Sequence, residues 1–535
     1  MSQVVWRLAA YLGGIWIMSL IYGELIAFYV PGWTCSWPLL PNNQNVSNFE
    51  TSMENSVRVA LIADPQLTDR TSYGMAPGSL ALKMTQFYSD IYMRRAFRSS
   101  VLALEPDAII FLGDLFDGGP YLSDGEWEDS LSRFNHVFDQ SERGLKSRSR
   151  KIPTYILPGN HDLGYVQVEI QKPEVMQRYK RIFGETDHKV TIGMVDFVFV
   201  DAQALDGSEA ELHSNMSWSF IQAFSKGSTH APRVLLTHIP LYRPDNTPCG
   251  YYRASPVINQ RITKFGPRRQ DLVYQNYLTN ETSSKLLESI KPVAVFSGHD
   301  HDQCTISHQL DGKHVKEYTV GTFSWLQGNL YPSFMMLSVA PMQVKNPNSS
   351  DSVVSSLCFL PAQDFIYAWY VVLLIVCLAC LLLWPTHGLH MPSFFKKAWD
   401  SISNLDLISK NTKEKDDDVE WEMIWDAEGA MHLISKGSAR HGTNAVGSPS
   451  SEKRGAAISR PAAKRQAMHD IEGAKAEPTL EDTGLDPSFY LTTNRTSKSK
   501  GNLLLRRCMQ MLNPLAALVV TNLSLYVMLL MKDWT

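Results

Sequence analysis

The chain has 535 residues and a formal net charge of -4, with 44% of its residues hydrophobic and 19% charged. That length accommodates one large domain with accessory segments. The faintly acidic balance gives no sign of nucleic acid as a partner, and the clustering of the apolar residues argues against a wholly soluble chain.

After a short stretch, 1–7, the run Leu8 to Val30 carries Glu24 as its single charge, long enough to cross roughly 30 Å of hydrocarbon. A cleaved signal peptide is the competing reading, but the run is too long and no small-residue cleavage site precedes Pro31. Glu24 is expected to face a neighbouring helix or the membrane interface. A linker, 31–56, leads into a domain at 57–341. Within it, apolar runs at Val57–Ala63, Ala108–Leu112, Thr154–Leu157, Val195–Val200, Val234–Leu236 and Val293–Phe296 are bounded by turn residues, as suits strands buried between layers. Helical spacing over Ser89 to Leu104, closed by Glu105-Pro106, makes a strand–helix–strand crossover. A second helix is expected over Thr282 to Ile290, capped by Thr282 or Ser283 and stopped before Pro292. A second linker, 342–364, precedes an uncharged run from Phe365 to Trp384.

The segment 385–510 is rich in Ser, Lys, Ala and acidic residues and is read as largely disordered. Inside it, 416–434 mixes Trp421, Ile424, Trp425 and Met431 with acids: a helix for a cytoplasmic partner, or a loosely ordered tether. The last run is Met511 to Met531. Lys396 and Lys397 follow the second span, and Arg506 and Arg507 precede the third. By the positive-inside rule 385–510 is cytoplasmic, and 31–364 is luminal or extracellular. The N-x-S/T triplets at Asn45, Asn215, Asn280 and Asn348 all fall on that outer side. So do Cys35, Cys249, Cys304 and Cys358, where pairing is possible. The expected pair is Cys249 with Cys304, both near the motifs described next, and free thiols are the alternative.

Five segments end hydrophobic strands with metal-binding side chains: Asp64-Pro65-Gln66, Gly113-Asp114-Leu115-Phe116-Asp117-Gly118, Gly159-Asn160-His161-Asp162, Thr237-His238 and Gly298-His299-Asp300-His301. Singly each has an ordinary explanation, since Asp after a strand is usually a turn former. Jointly they supply carboxylates, an amide and imidazoles at strand ends, where loops of a parallel sheet converge. Two divalent ions held there turn water into a nucleophile and neutralise phosphoryl oxygens.

The ordered motifs resemble the calcineurin-like metallophosphoesterase superfamily over roughly 57–341. The resemblance implies an α/β fold, a layered α-β-β-α sandwich, here flanked by transmembrane helices. It implies that Asp114 bridges two divalent ions, that Asp64 and His301 hold the first, and that Asn160, His238 and His299 hold the second. His161 resembles the phosphate-contacting general acid, with Asp117 hydrogen-bonded to its ring. A hydroxide between the ions would then attack phosphorus in line. The first motif departs from the superfamily's Asp-x-His: Gln66 stands third. Either it is a weaker oxygen ligand that favours manganese over zinc, or it holds a metal-bound water.

Ala63-Asp64-Pro65-Gln66-Leu67, Tyr92-Met93-Arg94-Arg95, Gly113 through Gly119, and Ser297 through His301 are similar to a narrower family. It comprises the endoplasmic-reticulum metallophosphoesterases that remodel glycosylphosphatidylinositol (GPI) anchors, the fungal cell-division-control proteins among them. That resemblance implies manganese, a luminal domain in the endoplasmic-reticulum membrane or the Golgi, and removal of ethanolamine phosphate from a mannose of a GPI glycolipid or GPI-anchored protein. In the insertion 241–290, Arg243, Arg253, Arg261, Arg268 and Arg269 alternate with Tyr242, Tyr251 and Tyr252. This reads as a lid for phosphate and sugar or as a solvated loop, with Arg243 the expected substrate contact. A luminal phosphatase of phosphoproteins or lipids, and a non-enzymatic cargo-binding or manganese-responsive membrane protein, are the alternative functions.

Overall fold

The computed structural model describes residues 2–41, 56–140, 151–165, 168, 171–206, 212–227, 231–265, 271–340, 352–383, 421–425, 431–435 and 496–534. Five strands, β1 (Val57–Ile62), β2 (Ala108–Phe111), β3 (Thr154–Ile156), β12 (Ser333–Val339) and β13 (Val353–Phe359), make one sheet in the order β13-β12-β1-β2-β3. A second sheet runs β10-β11-β9-β6-β5-β4, from Cys304–Leu310, Lys313–Thr319, Ala294–Ser297, Arg233–Thr237, Val195–Val200 and His188–Ile192 respectively. A hairpin of β7 (Ile262–Phe265) and β8 (Asp271–Gln275) stands apart.

Period-two alternation explains the layering. In β1, Val59 and Leu61 face the space between the sheets while Ala60 and Ile62 face outer helices; in β5, Phe197 and Phe199 face inward and Val198 and Val200 outward. Both faces of both sheets are therefore apolar, and helices must cover each outer face. Leu80–Ala96 and Asp124–Val137 cover the first sheet, and Leu212–Lys226 and Asn280–Ile290 the second. This is the expected α-β-β-α sandwich.

All six expected strands are present, and the antiparallel ones at the sheet edges are additions. The segment read as a second linker contains β13, which pairs with β12 from Ser333↔Phe359 to Val339↔Val353. Its polar-apolar mixture is that of an edge strand half open to water. The crossover helix begins earlier than expected, at Leu80, where Ser79 caps it by accepting from the Leu82 N–H. The later helix starts at Asn280 under a Thr279 cap rather than Thr282 or Ser283, because the Thr279 hydroxyl reaches the Thr282 N–H.

Three helices are long and apolar enough to cross a membrane: Val5–Thr34, Gln363–Leu383 and Met509–Trp534. The Thr34, Gln363 and Trp534 ends all meet the sandwich. Glu24 lies in a π-turn, Tyr22–Ile26, and is buried. Its partner is Arg95 of the crossover helix, Nη1 to Oε2 at 2.5 Å, and it also accepts from the Tyr370 hydroxyl of the second span at 3.1 Å. Arg95 Nε donates to Asp533 at 2.7 Å and Nη2 to the Leu529 carbonyl at 2.9 Å, both on the third span. One guanidinium thus joins the first and third spans directly and the second through Glu24. The expected Cys249–Cys304 pair is formed, and the other two outer-side cysteines, Cys35 and Cys358, also pair, stapling the end of the first span to β13.

Of the segment 385–510, Trp421–Trp425 and Met431–Ser435 form an antiparallel hairpin, neither the helix nor the loose tether expected. Two short apolar runs separated in the sequence by a stretch containing Gly429 explain the pairing. The helix of the third span already begins at Thr496, so 496–510 departs from the expected disorder. The remainder of 385–510, Asn45 and Asn348 lie outside the described residues, while Asn215 and Asn280 are exposed.

Candidate metal centre

β1, β2 and β3 are parallel, as are β5, β6 and β9, so the loops after their C-terminal ends gather at one edge. The first sheet delivers Asp64, Asp114 and Asn160; the second delivers His238, His299 and His301. The sheets meet as acid against imidazole. Asp114, His238 and His299 place one ligand atom each within 4.8 Å of one another, and so do Asp64, Asp114 and His301. Asp114 belongs to both groups, as a bridging carboxylate must. Asn160 completes the second group, its Oδ1 lying 3.1 Å from His238 Nε2.

Each imidazole is aimed by its outer nitrogen. His238 Nδ1 donates to the Leu112 carbonyl at 2.8 Å, His299 Nε2 to Gln275 at 3.0 Å and His301 Nδ1 to Gln327 at 3.2 Å. Fixing the tautomer this way turns the other nitrogen's lone pair toward the centre. None of these carbonyls carries a sequence signature, which is why the supporting shell was not legible.

The backbone is strained where the ligands sit. Asp64 (φ 49°), Gln66 (φ 37°), Asp114 (φ 53°), His299 (φ 71°) and His301 (φ 63°) all occupy the left-handed region. Such conformations cost of order 1–3 kcal/mol each and persist where surrounding contacts over-determine them. Gly113, at φ 96°, could carry no side chain without meeting His238 Nδ1. Gly159 is equally constrained, since a Cβ there would strike the Asp114 carboxylate.

The electrostatics suit cations. Burial pushes the Asp64 carboxyl up to about 8, with His238 opposing, so a nearby cation is what keeps it charged. Burial pushes His299 down to about 3 and His301 to about 4, leaving them neutral, as metal binding requires. Burial also opposes charge on Asp114 and His238, but they sit 3.2 Å apart and stabilise each other, lowering the acid and raising the imidazole to about 9. Gln66 donates its amide to Asp114 Oδ2 at 3.1 Å, and its buried Oε1 has no donor. That oxygen fits a cation or a water held by one. On these donors and tautomers the residues fit two divalent ions.

His161 stands at the rim, its side chain 38% exposed, with its N–H on Asp114 Oδ1 at 2.8 Å. Its ring Nδ1 donates to the backbone carbonyl of Asp117 at 2.5 Å, whereas the Asp117 carboxylate is 3.5 Å away. The expected side-chain hydrogen bond is therefore corrected: the Asp117 carboxylate is occupied by the Ser72 hydroxyl and acts on His161 through its charge. Close packing opposes charge on His161, yet Asp114 and then Asp117 hold its pKa above the usual value. Asp162 lies in the same motif, and its sequence position alone implies no role. It accepts from the Leu115 and Phe116 N–H groups at 2.9 and 3.2 Å and from Gly159 at 2.9 Å, locking the second motif to the third.

Arg243, expected at the substrate, is buried against other side chains instead of standing open to the site. It is 2% exposed, its guanidinium lies 4.1 Å over the Tyr277 ring, and Nη2 pairs with Asp300. Arg253 grips the same carboxylate at 2.7 and 2.9 Å. A buried Asp300 between two metal-site histidines needs countercharge, and these arginines supply it. Arg268 and Arg269 lie outside the described residues, and Tyr251 and Tyr252 are 94% and 57% exposed.

A calcineurin-like phosphoesterase family model matches residues 57–303. The Cell division control protein 1 of Saccharomyces cerevisiae is 32% identical over 372 residues, covering 67% of this chain and 70% of that one. The chain belongs to the calcineurin-like metallophosphoesterases. Proteins named Metallophosphoesterase 1 are similar along most of their length: that of Ailuropoda melanoleuca is 27% identical across 71% of this chain and 90% of its own, and that of Danio rerio 26% across 75% and 96%. Membership makes the chain a phosphoester hydrolase that uses divalent metals, as the acid-and-imidazole centre would require.

Proposed function

We propose that this metallophosphoesterase is a manganese-dependent phosphodiesterase that removes ethanolamine phosphate from a mannose of the GPI-anchor glycan, with its domain in the endoplasmic-reticulum lumen. The observation that carries the reading is a two-ion ligand set sharing Asp114, with a charged-state-favouring histidine beside it, on a domain clamped to three membrane-spanning helices. A membrane-resident phosphodiester suits an active site so tethered. Two disulfides on the domain side support an oxidising compartment, and the oxygen-rich first site with Gln66 supports manganese.

When bound, the ions supply charge neutralisation and an acidified water. Asp64, Asp114, His301 and the Gln66 oxygen would hold one, and Asp114, Asn160, His238 and His299 the other. His161, with Nδ1 tied to Asp117, has Nε2 left to give its proton to the departing mannose oxygen. That step needs imidazolium, so turnover is present below the raised pKa of His161 and is lost as pH climbs through it. Asp117→Asn removes one of the charges that raises this pKa, so the basic limb of a kcat profile is expected to move to lower pH. His161→Ala is expected to cost about 10²–10⁴-fold with a poor leaving group and much less with p-nitrophenol. Equal loss on both substrates would exclude His161 as the acid.

Mass spectrometry of anchor glycans from cells lacking the protein tests the substrate. One retained ethanolamine phosphate, removed on re-expression of the wild type but not of His161→Ala, is the expected outcome; unchanged glycans would overturn it. Purified protein stripped by a chelator is expected to lose activity and to recover more with manganese than with zinc. Recovery with zinc alone would overturn the manganese assignment.

A further inference from the structure

A large cavity lies away from the metal centre. It is an apolar groove of about 820 Å³ between the first and second candidate spans, lined by Met18, Tyr22, Val30, Phe359, Phe365 and Trp369 among others. That volume lies within the range of sites that enclose a ligand, roughly 300–1,000 Å³. Its lining includes exposed Met18, Tyr22, Phe365 and Trp369, at 73%, 55%, 53% and 51%.

A chain of contacts leads from the groove toward the metal centre. Phe365 stacks on Tyr331 with centroids 6.2 Å apart, and Phe359 lies 6.3 Å from Tyr331 and 5.8 Å from Tyr252. The Tyr331 N–H donates to Asn329 Oδ1 at 2.9 Å, and Asn329 Nδ2 donates to the His301 carbonyl at 2.9 Å. Gln327 of the same loop accepts from the His301 ring. Half-exposed aromatic rings thus run from the groove to Tyr331, whose backbone is tied through Asn329 to the backbone of His301, a mix of apolar and polar-tipped side chains of the kind favoured at a membrane interface.

We infer that this groove seats a hydrocarbon chain of the lipid-anchored molecule whose head the metal centre hydrolyses. The inference rests on the membrane-anchored substrate proposed above and adds where the anchor lies. Close packing of the chain against the groove walls supplies binding without any polar contact, and the aromatic ridge sets how far the head group stands above the chain. The effect falls on KM for lipid-bearing substrate, because the chain is bound alike in ground and transition states.

Two arms test this with the full chain in nanodiscs. In the first, wild type and Met18→Trp are compared on a GPI glycan carrying its lipid and on the same glycan freed of lipid by phospholipase. Met18→Trp fills the groove and is expected to raise KM on the order of tenfold for the lipid-bearing substrate alone. An equal change on both, or none on either, overturns the inference. In the second, a phosphatidylinositol with a diazirine in one acyl chain is photolysed. Labelling is expected to concentrate on 15–34 and 359–370 over the exposed third-span residues Val519, Val520 and Met528 (47%, 64% and 60%), and to fall in Met18→Trp. Uniform labelling would mean bulk bilayer lipid only and would overturn it. Should wild type cleave neither glycan, the substrate reading fails, while the labelling still decides the groove.

Discussion

Asp114→Asn is expected to abolish turnover while the domain still folds. The carboxylate is the one ligand common to both metal groups, lies at 0% exposure, and accepts from the Gln66 amide and the His161 N–H while facing His238. An amide keeps the shape and removes the charge that two cations share, so both ions weaken together. A loss of at least about 10³-fold in kcat is expected, beyond what removing a single transition-state hydrogen bond costs. Metal content per chain, measured on purified protein, is expected to drop from about two toward one or none. Circular dichroism should be unchanged, since the sheets pack through apolar contacts that Asp114 does not enter. Wild-type activity in a purified, folded Asp114→Asn protein would refute the metal assignment.

Arg95→Leu is expected to loosen the whole molecule without touching the chemistry. The guanidinium is 4% exposed and holds Glu24 and Asp533 at 2.5 and 2.7 Å, besides the Leu529 carbonyl. Removing the guanidinium strands the buried Glu24 carboxylate, with the partly exposed Asp533 beside it, a loss of about 3–5 kcal/mol. In detergent the apparent melting temperature is expected to fall on the order of 10 °C. Adding Glu24→Gln to Arg95→Leu removes one stranded charge and is expected to recover part of the fall, a non-additivity that only contacting residues show. Hydrolysis of a soluble diester at low temperature should persist, because no metal ligand is involved. Additive effects of the two substitutions would show that Glu24 and Arg95 do not act as a pair.

The parallel strands, and the ligand residues at their ends, were readable because the physics is local. A strand buried on both faces must be continuously apolar, as Val57–Ile62 and Val195–Val200 are, and a ligand-bearing turn must follow it. The antiparallel edge strands were not readable: β10 alternates buried and open positions among polar residues, and β13 is barely apolar on one side. Their pairing is decided by neighbours far away in the chain.

The site divides the same way. Residue type alone determined the ligands, since few side chains can hold a divalent ion and here they recur in one order at strand ends. What aims them came from tertiary contacts: backbone carbonyls of Leu112, Gln275 and Gln327, and the Asp162 clamp. Arg243 shows the limit from the other side. Sequence places an arginine shortly after His238, but only the folded chain reveals Asp300 as its partner. Glu24 is the same lesson inside the membrane. A lone acid in an apolar run announces that a partner exists, because an unpaired charge is costly in hydrocarbon; that the partner is Arg95, on the catalytic domain, follows only from three-dimensional packing.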